Sequence, residues 1–338
     1  MPAEKRILIS YFFGPNRIPL GDSCARALEE LGYEVNRFDS GICSPLYSWL
    51  LKPLSKIIRA LTLKRLELFK NFNQRFRERK LEQRVADYKP DILFVIRGHG
   101  FDPEFLRQLK KKHGIKTLIG WWVKGPKWFD LMKTEALAFD VYFCIHHENY
   151  TEQDHIQHLP ALGVDTTLYN PGEGAQQFEH EVVFVGSWNP RRQAIIEQLG
   201  DLPLEIYGPG WLKRNLFNPA IRRMIKPNGI WGEELAQLYR SSKIVLNISS
   251  WEPSDTTAFN LRLFDVPATG AFLLTEDTKN LRQYFDPGQE IATFLGPHDL
   301  KEKVLYFLSN AEQRKEIALK GLNKVRTFET YHDKMNFL

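Results

Sequence analysis

Arg262 and Asp265 stand on the first turns of a short amphipathic stretch, NLRLFDVPATG, that opens at Asn260. A guanidinium there can grip a phosphate, and a carboxylate, which only accepts hydrogen bonds, can hold a ribose diol. A helix opening at Asn260 would add free N–H groups and a positive dipole end, suited to a diphosphate. Arg191 and Arg192 follow Gly186 and Ser187 at the end of the apolar run EVVFVG. Gly-Ser at a strand-to-helix junction, with arginine in the first helical turn, makes a further candidate anion cradle. Alone, it equally describes a capped helix with a solvated arginine. His99 sits between glycines in RGHG, where backbone can come close to a ligand. A structural loop histidine and one that handles protons remain equally open. His146 and His147 are adjacent, so on a strand end they point in opposite directions and make a poor metal pair.

The elements that carry these residues alternate regularly. Apolar runs at 6–13, 91–96, 117–122 and 140–145, with a strand at 33–38, predict buried parallel strands. Helices are expected at 23–31, 102–112 and 126–138. His99, Trp121, Trp122, Lys124, His146 and His147 map to the carboxyl ends of these strands, where ligands bind in open parallel sheets. The first loop, GPN, lacks G-x-G-x-x-G, so a dinucleotide reading is weak. After residue 150 the periodicity fades through GVDTTLYNPGEGAQQ, and the alternation resumes at Glu181. With 338 residues, two domains are expected, 1–171 and 172–327, followed by a terminal segment, 328–338.

NLRLFDVPATGAFLLTED, with the later FDPGQEIATF, resembles the sugar-nucleotide-binding segment of the CgeB-like (spore-maturation type) glycosyltransferases. These are relatives of glycosyltransferase family 4 with the two-domain GT-B fold. Their pattern, roughly N-x-R-x-F-E-x-x-A-x-G-x-x-L-L, is met by Asn260, Arg262, Phe264, Ala268, Gly270, Leu273 and Leu274. Asp265 replaces the usual Glu, and Thr257 stands where family 4 has a second Glu. These departures bear on the contact to the sugar more than on the contact to the nucleotide. EVVFVGS with its arginines, LEIYGPGW, GIWG and KIVLNIS precede that segment in the family's order.

The resemblance implies an α/β architecture of the GT-B type, two Rossmann-like doubly wound domains facing a central cleft, with the terminal segment 328–338 crossing back to the first domain. It implies transfer of a sugar from a nucleoside-diphosphate sugar, a UDP-sugar first, to an acceptor held by the first domain. That acceptor is a polysaccharide, a protein or a small molecule. No D-x-D turn is present, in keeping with a metal-independent enzyme that needs no cofactor. The donor would be held by Gly186, Ser187, Arg191, Arg192, Tyr207, Gly208, Asn247, Asn260 and Gly270, with Trp231 stacking on the base. His99, Arg262 and Asp265 would serve the reaction. An inverting enzyme needs a base, for which His99 is the candidate, whereas kinship with family 4 implies retention. Two alternatives share the pocket: a GT-B sugar-nucleotide epimerase, and a non-catalytic two-domain nucleotide-sugar-binding protein.

Composition sets the outer bounds. A hydrophobic fraction of 43% is ordinary for a globular chain, and +5 is a mild net charge that allows an acidic partner without demanding nucleic acid. Cys24, Cys43 and Cys144 are scattered, no signal-peptide pattern follows the opening MPAEKR, and no run approaches a membrane span. A cytoplasmic protein is expected, with the inner membrane face as a peripheral station. That station rests on residues 46–88, helical in period, where eleven lysines and arginines between Lys52 and Arg84 meet three glutamates, a balance of +8. Such a segment reads as surface helices with a solvated basic face, or as a patch for an anionic membrane or charged acceptor. Its leucines, isoleucines and phenylalanines are expected to face the protein.

Overall fold

The computed structural model describes residues 5–14, 16–62, 67–96, 100–123, 129–145, 156–160, 163–173, 177–226, 229–249 and 260–336, with backbone alone at 59–62 and 67–70. The chain divides into two compact units, Met1–Ala161 with His332–Leu338, and Leu162–Tyr331.

The first unit is built from β1 (Arg6–Tyr11), α1 (Leu20–Glu30), β2 (Glu34–Asp39), a π-helical turn (Tyr47–Leu51), α2 (Lys52–Thr62) and α3 (Glu67–Tyr88). These are followed by β3 (Ile92–Ile96), α4 (Pro103–His113), β4 (Thr117–Trp122), α5 (Phe129–Ala136), β5 (Val141–Cys144) and β6 (Ile156–His158). All six strands are parallel, in the order β2-β1-β3-β4-β5-β6. The near-continuous apolar runs follow from burial on both faces. Leu8, Leu93, Leu118 and Tyr142 join a core with Leu81 and Val85 of α3 and Leu106 of α4, while Ile7, Ile9 and Phe94 are buried on the other side.

The second unit holds β7 (His180–Val185), α6 (Pro190–Glu197), β8 (Leu204–Tyr207), α7 (Trp211–Arg214), α8 (Pro219–Arg222), α9 (Gly232–Arg240) and β9 (Ser242–Asn247). Then come α10 (Arg262–Ala268), β10 (Leu273–Glu276), β11 (Ala292–Phe294), α11 (Gly296–Ser309) and α12 (Ala311–Val325); the last described helix, α13 (Tyr331–Met335), belongs from His332 on to the first unit. The second unit's parallel sheet runs β11-β10-β9-β7-β8. Strand alternation feeds two cores. Val182, Phe184, Ile244, Leu246 and Leu274 pack with Trp211 and α11, whereas Val183, Val185, Val245 and Leu273 pack with Phe264 of α10. In each sheet the first strand lies between its second and third, which creates a switch point where the chain order reverses. In the second unit that point is between β7 and β9, the place where open parallel sheets bind ligands.

The observed architecture is the two-sheet α/β arrangement read from the sequence, with several local differences. The division between units falls at 161/162 rather than 171/172, because Val164 and Tyr169 belong to the second unit's core and Val164 accepts its place through a hydrogen bond from its N–H to Glu329 O (3.1 Å). The stretch after 150, read as aperiodic, includes the short edge strand β6. Trp121 and Trp122, mapped to the ligand-facing rim, are fully buried; Trp121 stacks on Phe94 and donates through Nε1 to Leu159 O (3.0 Å). In α2, Leu54 and Ile57 face outward rather than toward the protein.

At the ends of β7 and β8 the backbones touch. Gly186 N donates to Tyr207 O (2.8 Å), and Gly208 has φ +140°; a Cβ added there would lie 2.3 Å from Gly186 O. Gly208→Ala therefore combines a disfavoured backbone with a backbone clash, and should lower stability by about 3 kcal/mol or more. Urea unfolding followed by circular dichroism checks this; a wild-type midpoint would mean that the two strand ends separate easily.

Candidate functional site

The carboxyl ends of β7, β9 and β10 gather three guanidinium groups. After Gly186 and Ser187, Asn189 caps α6 by accepting from Arg192 N (2.8 Å), with Pro190 in the first helical position. The same turn sends the Arg192 side chain back across the switch point. Only 4% exposed, it donates from Nε to Ile248 O (2.9 Å) and from Nη1 to Ser187 O (2.9 Å), with its guanidinium 5.4 Å from the Phe184 ring centre. Burial, with Arg262 and Arg191 as like charges, pulls this group down to about 10, Glu276 opposing; it stays charged at neutral pH.

Arg191 turns to Glu276 at the end of β10. Nη2 meets Oε1 at 2.5 Å and Nη1 meets Oε2 at 3.2 Å, a bidentate pair, and Nη1 also donates to Ser249 O (3.2 Å). Glu276 Oε2 accepts from Ser249 N (2.6 Å) as well. This buried glutamate was absent from the sequence reading. Its signal is an acidic residue closing an otherwise apolar strand, LLTE.

Arg262 is held differently. Asn247, buried at the end of β9, donates to Thr275 Oγ1 (2.9 Å) and accepts from Asn260 Nδ2 (2.6 Å). Asn260 Oδ1 in turn accepts from Arg262 N (3.1 Å) and Arg262 Nη1 (3.0 Å). The Nε of Arg262 is buried with no hydrogen-bond partner among the described residues. Asp265 is half-buried one turn on, and burial raises its carboxyl above the usual range, Arg262 opposing and Asp165 reinforcing. Behind them Tyr239 stacks on Tyr169 with centroids 6.4 Å apart, and burial raises both phenols.

The other expected donor residues are spread over this unit. Gly186 is buried and accepts from Trp211 Nε1 (2.8 Å), whereas Ser187 is exposed. The Tyr207 hydroxyl turns back along its strand to Glu205 Oε2 (2.7 Å). Trp231 lies flat over Gly229, where an added Cβ would meet its ring at 1.9 Å. With Gly208, Leu212, Lys213, Leu216 and Lys226 it lines an open groove of about 480 Å³. Gly270, φ +73°, is the left-handed stop after α10, so its place is set by chain reversal. The α10 helix itself has only seven residues, with Pro267 inside, and its first amide is already taken by Asn260, so its N-terminus offers less to an anion than its sequence suggested. His99, Lys124, His146, His147 and Thr257 fall outside the described residues. Among the described residues no three histidines, cysteines or carboxylates gather as metal ligands, and no helix is long and apolar enough to cross a membrane.

Glu276→Gln removes the charge that faces Arg191 while keeping an acceptor for Ser249, and should cost about 1.5–3 kcal/mol. Combined with Arg191→Gln, the double variant should lose clearly less than the sum of the singles in urea unfolding; strict additivity would mean the two side chains do not depend on one another.

A family model described as glycosyl transferase-like matches residues 191–338. The chain is 22% identical over 260 residues to the spore protein CgeB of Bacillus subtilis, covering 70% of this chain and 77% of that one. Among solved structures, a glycosyltransferase from Rickettsia africae aligns with TM-score 0.63 and 13% identity over 99% of this chain and 97% of that one. Anabaena HepE, solved with UDP and glucose, aligns with TM-score 0.61 and 10% identity over 99% and 98%. The chain thus has a fold of the GT-B type, its part from 191 on matches a glycosyl transferase-like family model, and over 70% of its length it is similar to CgeB.

Proposed function

We propose that the protein transfers a sugar from a UDP-sugar to an acceptor without a metal ion, and that the second unit holds the donor. The observation that carries this is the Arg262 guanidinium. Arg191 is matched by Glu276 and Arg192 by backbone carbonyls, whereas the Arg262 guanidinium, held by Asn260 and close to Asp265 and Tyr239, keeps a buried Nε with no hydrogen-bond partner among the described residues. An anion is the natural complement of that group, and the solved complexes of HepE with UDP and with UDP-glucose support a nucleotide sugar as its source.

In this reading the leaving diphosphate gathers negative charge as the glycosidic bond breaks, and a fixed guanidinium stabilises it without reorganising. Arg191 and Arg192 contribute their field while they shape the loop. Asp265 accepts from the ribose diol, and the Trp231 groove receives the base. His99 is assigned the proton of the acceptor hydroxyl. The first unit is assigned the acceptor, and its basic helices an anionic membrane face on the cytoplasmic side.

Arg262→Ala should weaken UDP binding by about 10- to 150-fold in calorimetry, because a charge-assisted bond is lost. Transfer should fall with it, and unchanged UDP affinity would refute the assignment. In a thermal-shift screen of nucleotide sugars, the true donor at a hundred times its dissociation constant should stabilise the wild type by about 2.7 kcal/mol.

Asp265→Asn keeps the shape and weakens acceptance, so UDP affinity should drop, and a 2′,3′-dideoxy analogue should bind wild type and variant alike. Ionised Asp265 is the form that accepts from the diol, so its contribution should fade as pH drops through its raised pKa, and the difference between wild type and variant should shrink in parallel. An equal loss for the dideoxy analogue would exclude the ribose contact.

A further inference from the structure

The π-helical turn and α2 carry an apolar stripe that the protein does not cover. Trp49 is 86% exposed and Ile57 57%, and Leu46, Leu50 and Leu54 are exposed with them. Their positions recur every three to four residues, the repeat of one helical face. Tyr47, Leu51, Ser55 and Ile58 are half-buried, so the segment rests on the unit by a different side. Lys52 and Lys56 are exposed beside the stripe. Between Asp39 and Glu67 the sequence contains Lys52, Lys56, Arg59, Lys64 and Arg65 and no acidic residue.

A contiguous exposed apolar face marks an interaction surface, and its rim decides the partner. Against a second copy of this chain, a two-fold contact would bring the lysine rim up to itself, like charge against like. An anionic lipid surface complements both parts at once. Its headgroups meet the lysines, its acyl boundary takes the leucines and isoleucine, and an indole is at home at the interface between them.

We propose that the π-helical turn and α2 form a membrane-docking helix lying in the plane of an anionic bilayer, with Leu46, Trp49, Leu50, Leu54 and Ile57 inserted below the headgroups and Lys52 and Lys56 at their level. This deepens the membrane part of the functional reading and is independent of the donor site.

Sedimentation of the full chain, without nucleotide, with phosphatidylcholine vesicles with or without phosphatidylglycerol tests it. The wild type should partition onto the anionic vesicles, less so at physiological than at low salt. W49S/I57S should lower that partition by on the order of tenfold or more at both salts. K52Q/K56Q should lower it by about fivefold per lysine at low salt. A blue shift of tryptophan emission on anionic vesicles should be largely lost in W49F. All these positions are exposed, so unchanged circular dichroism serves as the folding control. Wild-type-like binding by W49S/I57S would overturn insertion while leaving an electrostatic contact. Absence of wild-type binding to either vesicle would overturn both. A dimer that W49S/I57S abolishes, without lipid partition, would give the face to a second copy.

Discussion

The second unit depends on how it balances three guanidinium charges at the carboxyl ends of its strands. One carboxylate, Glu276, is wholly engaged there, and it serves Arg191 and the Ser249 amide. Arg192 is stabilised by the carbonyls of Ser187 and Ile248, which fasten the loop after β7 to the chain beyond β9. A guanidinium removed from water without such acceptors would be costly, so the loop cannot move without exposing the charge. Arg262 completes the set and is supported by a chain of neutral amides and a hydroxyl, Asn260, Asn247 and Thr275. The local field is therefore positive, and the fold maintains it before any ligand arrives.

Asp265 does not cancel that field in the way its proximity suggests. Burial favours its neutral form, and Asp165 adds to the effect, with Arg262 working against both. A carboxylate fully paired with Arg262 would have spent its acceptor capacity inside the protein. Tyr239 and Tyr169, stacked and buried, pack beside it.

Much of this was legible in the sequence because it depends on local pattern. Continuous apolar runs announced both parallel sheets, and the ordered series from EVVFVG to LLTED put the arginines and Asp265 on the first turns of helices that follow strands of the second sheet. What the sequence hid depends on partners distant along the chain. Arg191 and Glu276 are 85 residues apart, and nothing near either one signals the pair. Arg192 reads as a solvated helix residue until the end of β9 is laid beside it. Gly270 fits a family pattern, yet its positive φ shows what a glycine is needed for at that position. Periodicity in 46–62 revealed an apolar stripe on a helix, but only tertiary packing decides whether a stripe is covered.

The two sheets share a strand order and differ in what stands at the switch point. In the first unit β1 runs out through Tyr11, Phe12 and Phe13, the rings of Phe12 and Phe13 each meeting that of Tyr11, and β4 ends in the buried Trp122. In the second unit the corresponding ends bear Asn247, Ser249 and Glu276, with arginines from the following helices. Topology supplies both units with a place for a ligand. Among the described residues, the second unit lines that place with the guanidinium groups of Arg191, Arg192 and Arg262, while in the first unit the Arg77 guanidinium reaches Ser40 O (3.4 Å) and lies against Gly100 after β2 and β3. Residue placement, rather than strand order, distinguishes the two units at this topological point.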